Sequence, residues 1–156
     1  MKLADVEAVA RALGAHDVRY LVAGGIAVVA HGYGRLTMDL DLVIQLEPDN
    51  IQAAFEALRP LGYRPRQPVT GAQFADPAMR KNWIETKNMK VQSDQYRETT
   101  IDVFVSEPFD FNTEYSRAAK FELVPGLTMP FVCLDTLIAM KEAVGRPGDL
   151  DDAWHL

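Results

Sequence analysis

The chain has 156 residues, 48% of them hydrophobic and 24% charged, and its formal net charge of −6 argues against broad, nonspecific binding of nucleic acid. The length predicts a single domain, over 1–156, and the one cysteine, Cys133, excludes an intramolecular disulfide framework and favours a cytoplasmic location. The longest apolar run is too short to span a bilayer, so no membrane contact is expected.

Helices and strands alternate in the first half of the chain. The first four predicted elements are a helix, a strand, a short helix and a strand, over 3–14, 18–23, 25–30 and 38–46. A helix over 50–61 follows and ends at Pro60 and Gly62. The segment 64–75 is rich in proline, glycine and glutamine, which predicts a loop.

Two hairpins and four helices are predicted in the second half. Asp76-Pro77 combines a helix N-cap with proline at the first helical position, so a helix is predicted from there to Lys87. The remaining elements are a hairpin, a short helix, a second hairpin and two helices, over 89–93 and 99–106, 110–118, 120–124 and 128–132, 134–144, and 149 onward. This order predicts an α+β domain.

Two aspartates lie within the second strand, in the sequence MDLDLVI. Because strand side chains alternate between faces, Asp39 and Asp41 point to one face and Leu40 and Leu42 to the other. Two adjacent carboxylates suit a divalent cation such as Mg²⁺. A solvated outer face is the alternative explanation for this pair.

The strand TTIDVFVS carries a third aspartate. Asp102 alternates with Ile101 and Val103 and is flanked on its own face by Thr100 and Phe104, which is not typical of a solvated face. If the two strands are neighbours, Asp102 joins Asp39 and Asp41 in a cluster that could hold metal ions for phosphoryl or nucleotidyl transfer.

A glycine pair links the first strand to the short helix. Gly24 and Gly25 would let the backbone approach a phosphate closely at a helix N-terminus. Plain packing at a strand–helix junction explains such a pair equally well. Neither a Walker A motif nor a G-x-G-x-x-G motif occurs at this position.

Four further polar residues have competing explanations. Lys141 lies on the apolar stripe of the 134–144 helix, so its ammonium should follow the core either to the carboxylate–phosphate site or to solvent. Asp149 and Asp152 are spaced to cap the last helix, and this role is favoured for both. His31 is expected to be a structural hydrogen-bonding group at a helix end and not a catalytic base.

Basic residues are concentrated in one segment. Half of the 16 basic residues lie between residues 59 and 97, with only three acidic residues among them. Such a zone on an acidic protein suits a polyanionic ligand, and a solvated basic surface explains it equally well. The basic residues are Arg59, Arg64, Arg66, Arg80, Lys81, Lys87, Lys90 and Arg97.

Together these motifs resemble the polymerase-beta-type nucleotidyltransferase superfamily. The Gly-Gly turn, the short helix, D-x-D on the next strand and a later strand with a lone aspartate match its pattern. The sequences GGIAVVAHGYGRLTMDLDLVI and LDTLIAMKEAVGRPGDLDD are similar to its small prokaryotic AbiEii-like branch, which includes members of toxin–antitoxin pairs. The resemblance implies a minimal domain with a mixed, mostly antiparallel sheet flanked by helices.

The resemblance also implies roles for individual residues. Gly24 and Gly25, with Arg35 and Thr37 of the R-x-T sequence, would bind the nucleotide. Asp39, Asp41 and Asp102 would bind Mg²⁺, or Mn²⁺, and Asp102 would help to deprotonate the acceptor. Lys141 would be the fourth catalytic residue.

The implied reaction moves a nucleoside monophosphate from an NTP to a hydroxyl of RNA, protein or a small molecule. A cognate antitoxin or a second copy of the chain is the candidate protein partner. Two alternatives are a non-catalytic nucleotidyltransferase-like regulatory or toxin–antitoxin protein, and a metal-dependent phosphodiesterase. The Gly24-Gly25 turn disfavours the phosphodiesterase.

Overall fold

One mixed sheet organises the chain. The computed structural model describes residues 1–65, 71–78, 88–93, 99–104 and 106–156. Within these ranges seven strands form the sheet, in the order β3-β4-β5-β2-β1-β7-β6. The strands are β1 (Tyr20–Ala23), β2 (Asp39–Ile44), β3 (Tyr63–Pro65), β4 (Asn88–Ser93), β5 (Thr100–Phe104), β6 (Ala119–Val124) and β7 (Leu127–Phe131).

The sheet is mostly antiparallel, as the sequence predicts. The pairs β1–β2, β3–β4, β4–β5 and β6–β7 are antiparallel, whereas β1–β7 and β2–β5 are parallel. The central strand β2 therefore has one antiparallel and one parallel neighbour. The parallel pairing with β5 brings together two segments of the chain that are about sixty residues apart.

Helices flank this sheet. Those described are α1 (Leu3–Ala15), α2 (Gly24–Ala30), α3 (Pro48–Leu58), α4 (Gly71–Ala75), α5 (Phe111–Ser116), α6 (Leu134–Val144) and α7 (Pro147–His155), with a 3-10 turn over Arg59–Leu61. Helices α1 and α3 contact each other through apolar faces that include Val9, Leu13 and Ile51, all fully buried. Helix α2 contacts β1, β2 and α6. No helix in the described ranges is long and apolar enough to cross a membrane.

The predicted loop over 64–75 is partly wrong. It contains the end of β3 and all of α4. Tyr63 explains the extra strand: its ring is buried and its hydroxyl donates to the carbonyl of Thr99 at 2.9 Å, which holds the chain beside the sheet. Pro65 is tolerated because β3 is an edge strand.

Part of the sequence prediction lies outside the described residues. The helix predicted to Lys87 can be assessed only at its start, where the amide of Ala78 donates to Asp76 Oδ1 at 2.9 Å, as an N-cap requires. The hairpin over β4 and β5 is present, but its turn, 94–98, is among the residues that are not described. Most of the basic zone also lies outside the described side chains.

Candidate active site

Strand register brings the three predicted acidic residues to one face of the sheet. In the parallel pair, Asp41 is directly opposite Asp102 and Asp39 is opposite Thr100. Neighbouring strands lie about 4.8 Å apart, so Asp41 and Asp102 are adjacent. Asp39 is two residues before Asp41 on the same strand and therefore shares its face.

The burial of Asp102 argues against a solvated outer face. Its exposed fraction is 8%, and Asp39 and Asp41 are half-buried. On the opposite face, Leu40, Leu42 and other aliphatic side chains are fully buried in the core. A carboxylate is expensive to bury, so a fold that places one at the centre of its sheet needs compensating charge there.

The carboxylates fit Mg²⁺ in number and chemistry. Among the described residues, no group of three or more His, Cys, Asp or Glu side chains is placed to hold a metal ion by itself. Mg²⁺ does not require such a cage, since it is usually held by one or two carboxylates together with water and substrate phosphates. The aligned residues Asp41 and Asp102 supply two carboxylates with the oxygen ligands that Mg²⁺ prefers.

Gly24 lies directly against one of these carboxylates. It begins α2 with φ = +66°, and a Cβ added there would overlap the carboxylate of Asp41 and approach Asp41 Cβ to 2.8 Å. Any larger residue would therefore displace Asp41 as well as strain the backbone. The glycine turn and the acidic face are thus parts of one site.

Gly25 lies against the other two predicted nucleotide-binding residues. A Cβ there would lie 2.7 Å from Thr37 Oγ1 and 3.0 Å from Arg35 Nη2. The segment that precedes β2 therefore folds back over the glycine turn. All four residues expected from the sequence to contact a nucleotide, Gly24, Gly25, Arg35 and Thr37, lie together.

Arg35 is held in place by the last helix. Its Nε lies 2.7 Å from Asp152 Oδ1, and its Nη2 donates to Asp152 Oδ2 at 2.8 Å. This two-point geometry fixes the plane of the guanidinium. Asp152 is only 2% exposed, so the pair is anchored in the protein interior.

Lys141 also pairs with the last helix. The sequence predicts that its ammonium reaches the carboxylate–phosphate site. The Lys141 ammonium is buried, 3.0 Å from Asp152 Oδ2 and 3.2 Å from Asp149 Oδ1. It does not extend to solvent. It is connected to the glycine turn indirectly, through Asp152 and Arg35.

The predicted capping role of Asp149 and Asp152 is wrong. Helix α7 begins at Pro147, with Arg146 as its N-cap residue, so both aspartates lie inside the helix. Their carboxylates instead bind cations, and Asp149 Oδ2 accepts a hydrogen bond from Arg146 Nε at 2.7 Å. Burial raises the pKa of Asp149, but the hydrogen bonds from Arg146 and Lys141 outweigh burial and hold that pKa below its ordinary value.

These contacts form one continuous ion-pair chain, which we call the Arg35–Arg146 chain. In order, its members are Arg35, Asp152, Lys141, Asp149 and Arg146. Two buried carboxylates and a buried ammonium form its middle, and a guanidinium forms each end.

Removing the central cation should destabilise the protein. We expect Lys141→Met to lower the free energy of unfolding by about 2–3 kcal/mol, because two buried carboxylates lose a partner while each keeps an arginine. Urea denaturation measures this change. Lys120→Met is the control, since Lys120 is exposed and its loss should cost less than about 1 kcal/mol. Equal stabilities of the two variants would contradict the assignment.

His31 has the structural role that the sequence predicts. It follows α2, and its Nε2 donates to the carbonyl of Val132 at 2.9 Å. Phe121 packs edge-on against the ring. The imidazole ties the end of α2 to the end of β7.

A second set of contacts, not expected from the sequence, joins the segment before β2 to α7. The ring of Tyr33 stacks on His155 with 4.1 Å between centroids, and its hydroxyl donates to Asp151 at 3.1 Å. Together with the Arg35–Asp152 pair, these contacts fix the segment that covers the glycine turn. Isolated Tyr and His residues in loops and helices carry no sequence signal for such a pairing.

A cleft of about 290 Å³ lies at the other end of β2. It includes Glu47, Glu107 and Asp110 and none of the predicted site residues. Its negative charge would repel a phosphate. It therefore does not compete with the glycine turn as a nucleotide site.

Structural comparison identifies the fold. A candidate nucleotidyltransferase from Thermotoga maritima matches with a TM-score of 0.60 at 13% identity, covering 96% of this chain and 88% of that chain. The complex of ANT(2″)-Ia with adenylyl-2″-tobramycin matches with a TM-score of 0.58 at 12% identity, covering 96% and 83%.

The solution structure of ANT(2″)-Ia, an antibiotic-resistance factor, matches with a TM-score of 0.60 at 13% identity, covering 96% and 78%. No protein-family model matches the sequence, and no curated protein matches it at a significant level. At these identities the likeness establishes the fold. The chain has the α+β fold of these nucleotidyltransferases, as the sequence predicts.

Proposed function

We propose that the protein is a nucleotidyltransferase that moves a nucleoside monophosphate from an NTP to a hydroxyl acceptor. The observation that carries this proposal is the contact between Gly24 and Asp41, which joins the glycine turn to an aligned pair of carboxylates. The fold shared with nucleotidyltransferases supports it. A phosphodiesterase would need the carboxylates but not the turn.

Each residue of the site has a part in the proposed reaction. The backbone at Gly24 and Gly25 would accommodate the triphosphate, and Arg35 and Thr37 beside them would contact its oxygens. The acceptor oxygen would bond to the α-phosphorus, and the bond from that phosphorus to the leaving pyrophosphate would break. Asp102 would accept the hydroxyl proton.

Asp41 and Asp102 would hold the metal ion, Mg²⁺ or Mn²⁺, and Asp39 would lie beside them on the same face of the sheet. Bound there, the ion would supply charge neutralisation at the phosphates. Lys141 is proposed as a positioning residue, since its ammonium is occupied by Asp149 and Asp152. Lys141 would affect transfer by holding Asp152, and through it Arg35, in position.

We also propose an acceptor class and a biological setting. The adenylyl-tobramycin bound to ANT(2″)-Ia is a nucleotide joined to a small molecule, which makes small hydroxyl compounds candidates beside RNA and protein. Because two sequence segments resemble the AbiEii-like branch, we propose that the protein belongs to a toxin–antitoxin pair. A cognate antitoxin or a second copy of the chain would then be its partner.

Incubation with each labelled NTP and Mg²⁺ tests the proposal. The acceptor pools would be RNA, protein and small polyhydroxylated compounds, and products would be separated by size. We expect label to appear in one pool with release of pyrophosphate, and to disappear when EDTA replaces Mg²⁺. Absence of transfer, together with absence of NTP binding, would favour the non-catalytic regulatory alternative.

A further inference from the structure

The two ends of the Arg35–Arg146 chain differ from its middle. Lys141, Asp149 and Asp152 are buried, and the Lys141 ammonium lies between the two carboxylates. The guanidiniums of Arg35 and Arg146 are more exposed, with 32% and 76% of the side chain accessible. The five groups of the ion-pair chain together carry a net charge of +1, and the two guanidiniums at its ends are its most exposed groups.

Arg35, one end of the ion-pair chain, lies at the glycine turn. Arg35 Nη2 is 3.0 Å from the position of a Cβ on Gly25. The sequence motif R-x-T predicted a role for Arg35 in this place. Arg146 carries no comparable motif of its own.

The other end, Arg146, lies at the start of α7, three residues before Asp149 and six before Asp152. The hydrogen bond and charge of Asp149 raise the pKa of Arg146, and the charge of Asp41 raises it further against the opposing effect of desolvation. The charge of Asp41 therefore reaches the guanidinium. The ion pairs through Asp149, Lys141 and Asp152 connect the same guanidinium to Arg35 at the glycine turn.

The attachment of Arg146 leaves most of its guanidinium available. Within the described part of the chain its bonded partner is Asp149, reached through Nε at 2.7 Å. The two terminal nitrogens carry four further N–H donors. A guanidinium held by one edge and open on the other is suited to bind phosphate oxygens.

We propose that Arg146 is a second phosphate-binding arginine, which contacts the nucleotide polyphosphate near Asp41 while Arg35 contacts it near Gly25. The ion-pair chain fixes the distance between the two guanidiniums, with Asp149, Lys141 and Asp152 as positioning residues. This inference rests on the proposed nucleotidyl transfer and names a residue for its triphosphate site.

The test compares Arg146→Gln with the parent protein in calorimetric titrations. The probes are ATP or the NTP that binds best, its nucleoside, and inorganic tripolyphosphate, each with Mg²⁺. We expect about tenfold weaker binding of the NTP and of tripolyphosphate, and unchanged binding of the nucleoside. Arg146→Lys should recover part of the affinity, because it restores the charge without the planar donors.

Arg117→Gln is the matched control. Arg117 is also an exposed arginine that pairs with an aspartate in the first turn of a helix, Asp135 of α6. Its loss changes the net charge equally and should leave triphosphate binding unchanged. Thermal unfolding of all variants verifies that they remain folded.

The outcomes separate this inference from the function on which it rests. If the parent binds neither NTP nor tripolyphosphate, the proposed function fails, and the inference fails with it. If the parent binds and Arg146→Gln binds equally well, the inference alone is overturned and Arg146 only stabilises α7. An equal loss for nucleoside and triphosphate would also overturn it, because the effect would not be specific to phosphate.

Discussion

Replacement of Gly24 by alanine is expected to abolish measurable nucleotide transfer while most of the fold survives. The backbone there has φ = +66°, and holding an alanine in this conformation costs about 1–2 kcal/mol. The new methyl group would also overlap the Asp41 carboxylate and force it to move. A displacement of about 1 Å at a reacting centre can reduce a rate by about 10²-fold, and the strained turn would add to this loss.

Two other glycines calibrate the result. In Gly25→Ala the methyl group would lie 2.7 Å from Thr37 Oγ1 and 3.0 Å from Arg35 Nη2, a milder overlap than at Gly24 and without a positive φ, so we expect a smaller loss of activity. In Gly14→Ala the methyl group meets nothing within 4 Å inside α1, so activity should be unchanged and stability slightly higher. A Gly24→Ala protein that transfers nucleotide at the parental rate would show that the turn is only a packing feature.

Asp41→Asn should cause the second large loss. This change keeps the size of the side chain beside Gly24 and Asp102 but removes the charge that would hold a cation. We expect transfer to slow by on the order of 10³-fold and Mg²⁺ to lose its effect on NTP affinity. Turnover and calorimetry with the purified variant measure the two effects.

The control for this change is Asp49→Asn, at an exposed position in the first turn of α3. It alters the net charge by the same amount far from β5. We expect parental turnover. Parental turnover by Asp41→Asn as well would mean that the acidic face is not the reaction site.

Much of this site follows from local sequence patterns. The alternation of Asp39 and Asp41 with leucines, and of Asp102 with Ile101 and Val103, predicts which faces the carboxylates share once the strands are neighbours. The neighbour relation itself could only be assumed, because β2 and β5 pair in parallel across a long separation in sequence.

The tertiary roles of the last helix could not be predicted locally. Asp149 and Asp152 fit the spacing of helix caps, and cap rules consider only the groups within the same turn. In the structure both carboxylates are buried against Lys141 and each also pairs with an arginine, Arg35 or Arg146. These cations compensate the negative charges more fully than a backbone amide would. The local sequence around Arg146 likewise gives no sign of a tertiary role, because a position before Pro147 suggests only a helix boundary.

Calorimetric titration of the parent protein with NTP, in Mg²⁺ and in EDTA, tests the central claim most directly. If the glycine turn and the acidic face form one nucleotide site, an NTP should bind at least about tenfold more tightly with Mg²⁺ than with EDTA. Mn²⁺ should replace Mg²⁺ in this effect. Equal affinity in the two solutions, or no heat of binding at millimolar NTP, would contradict the account.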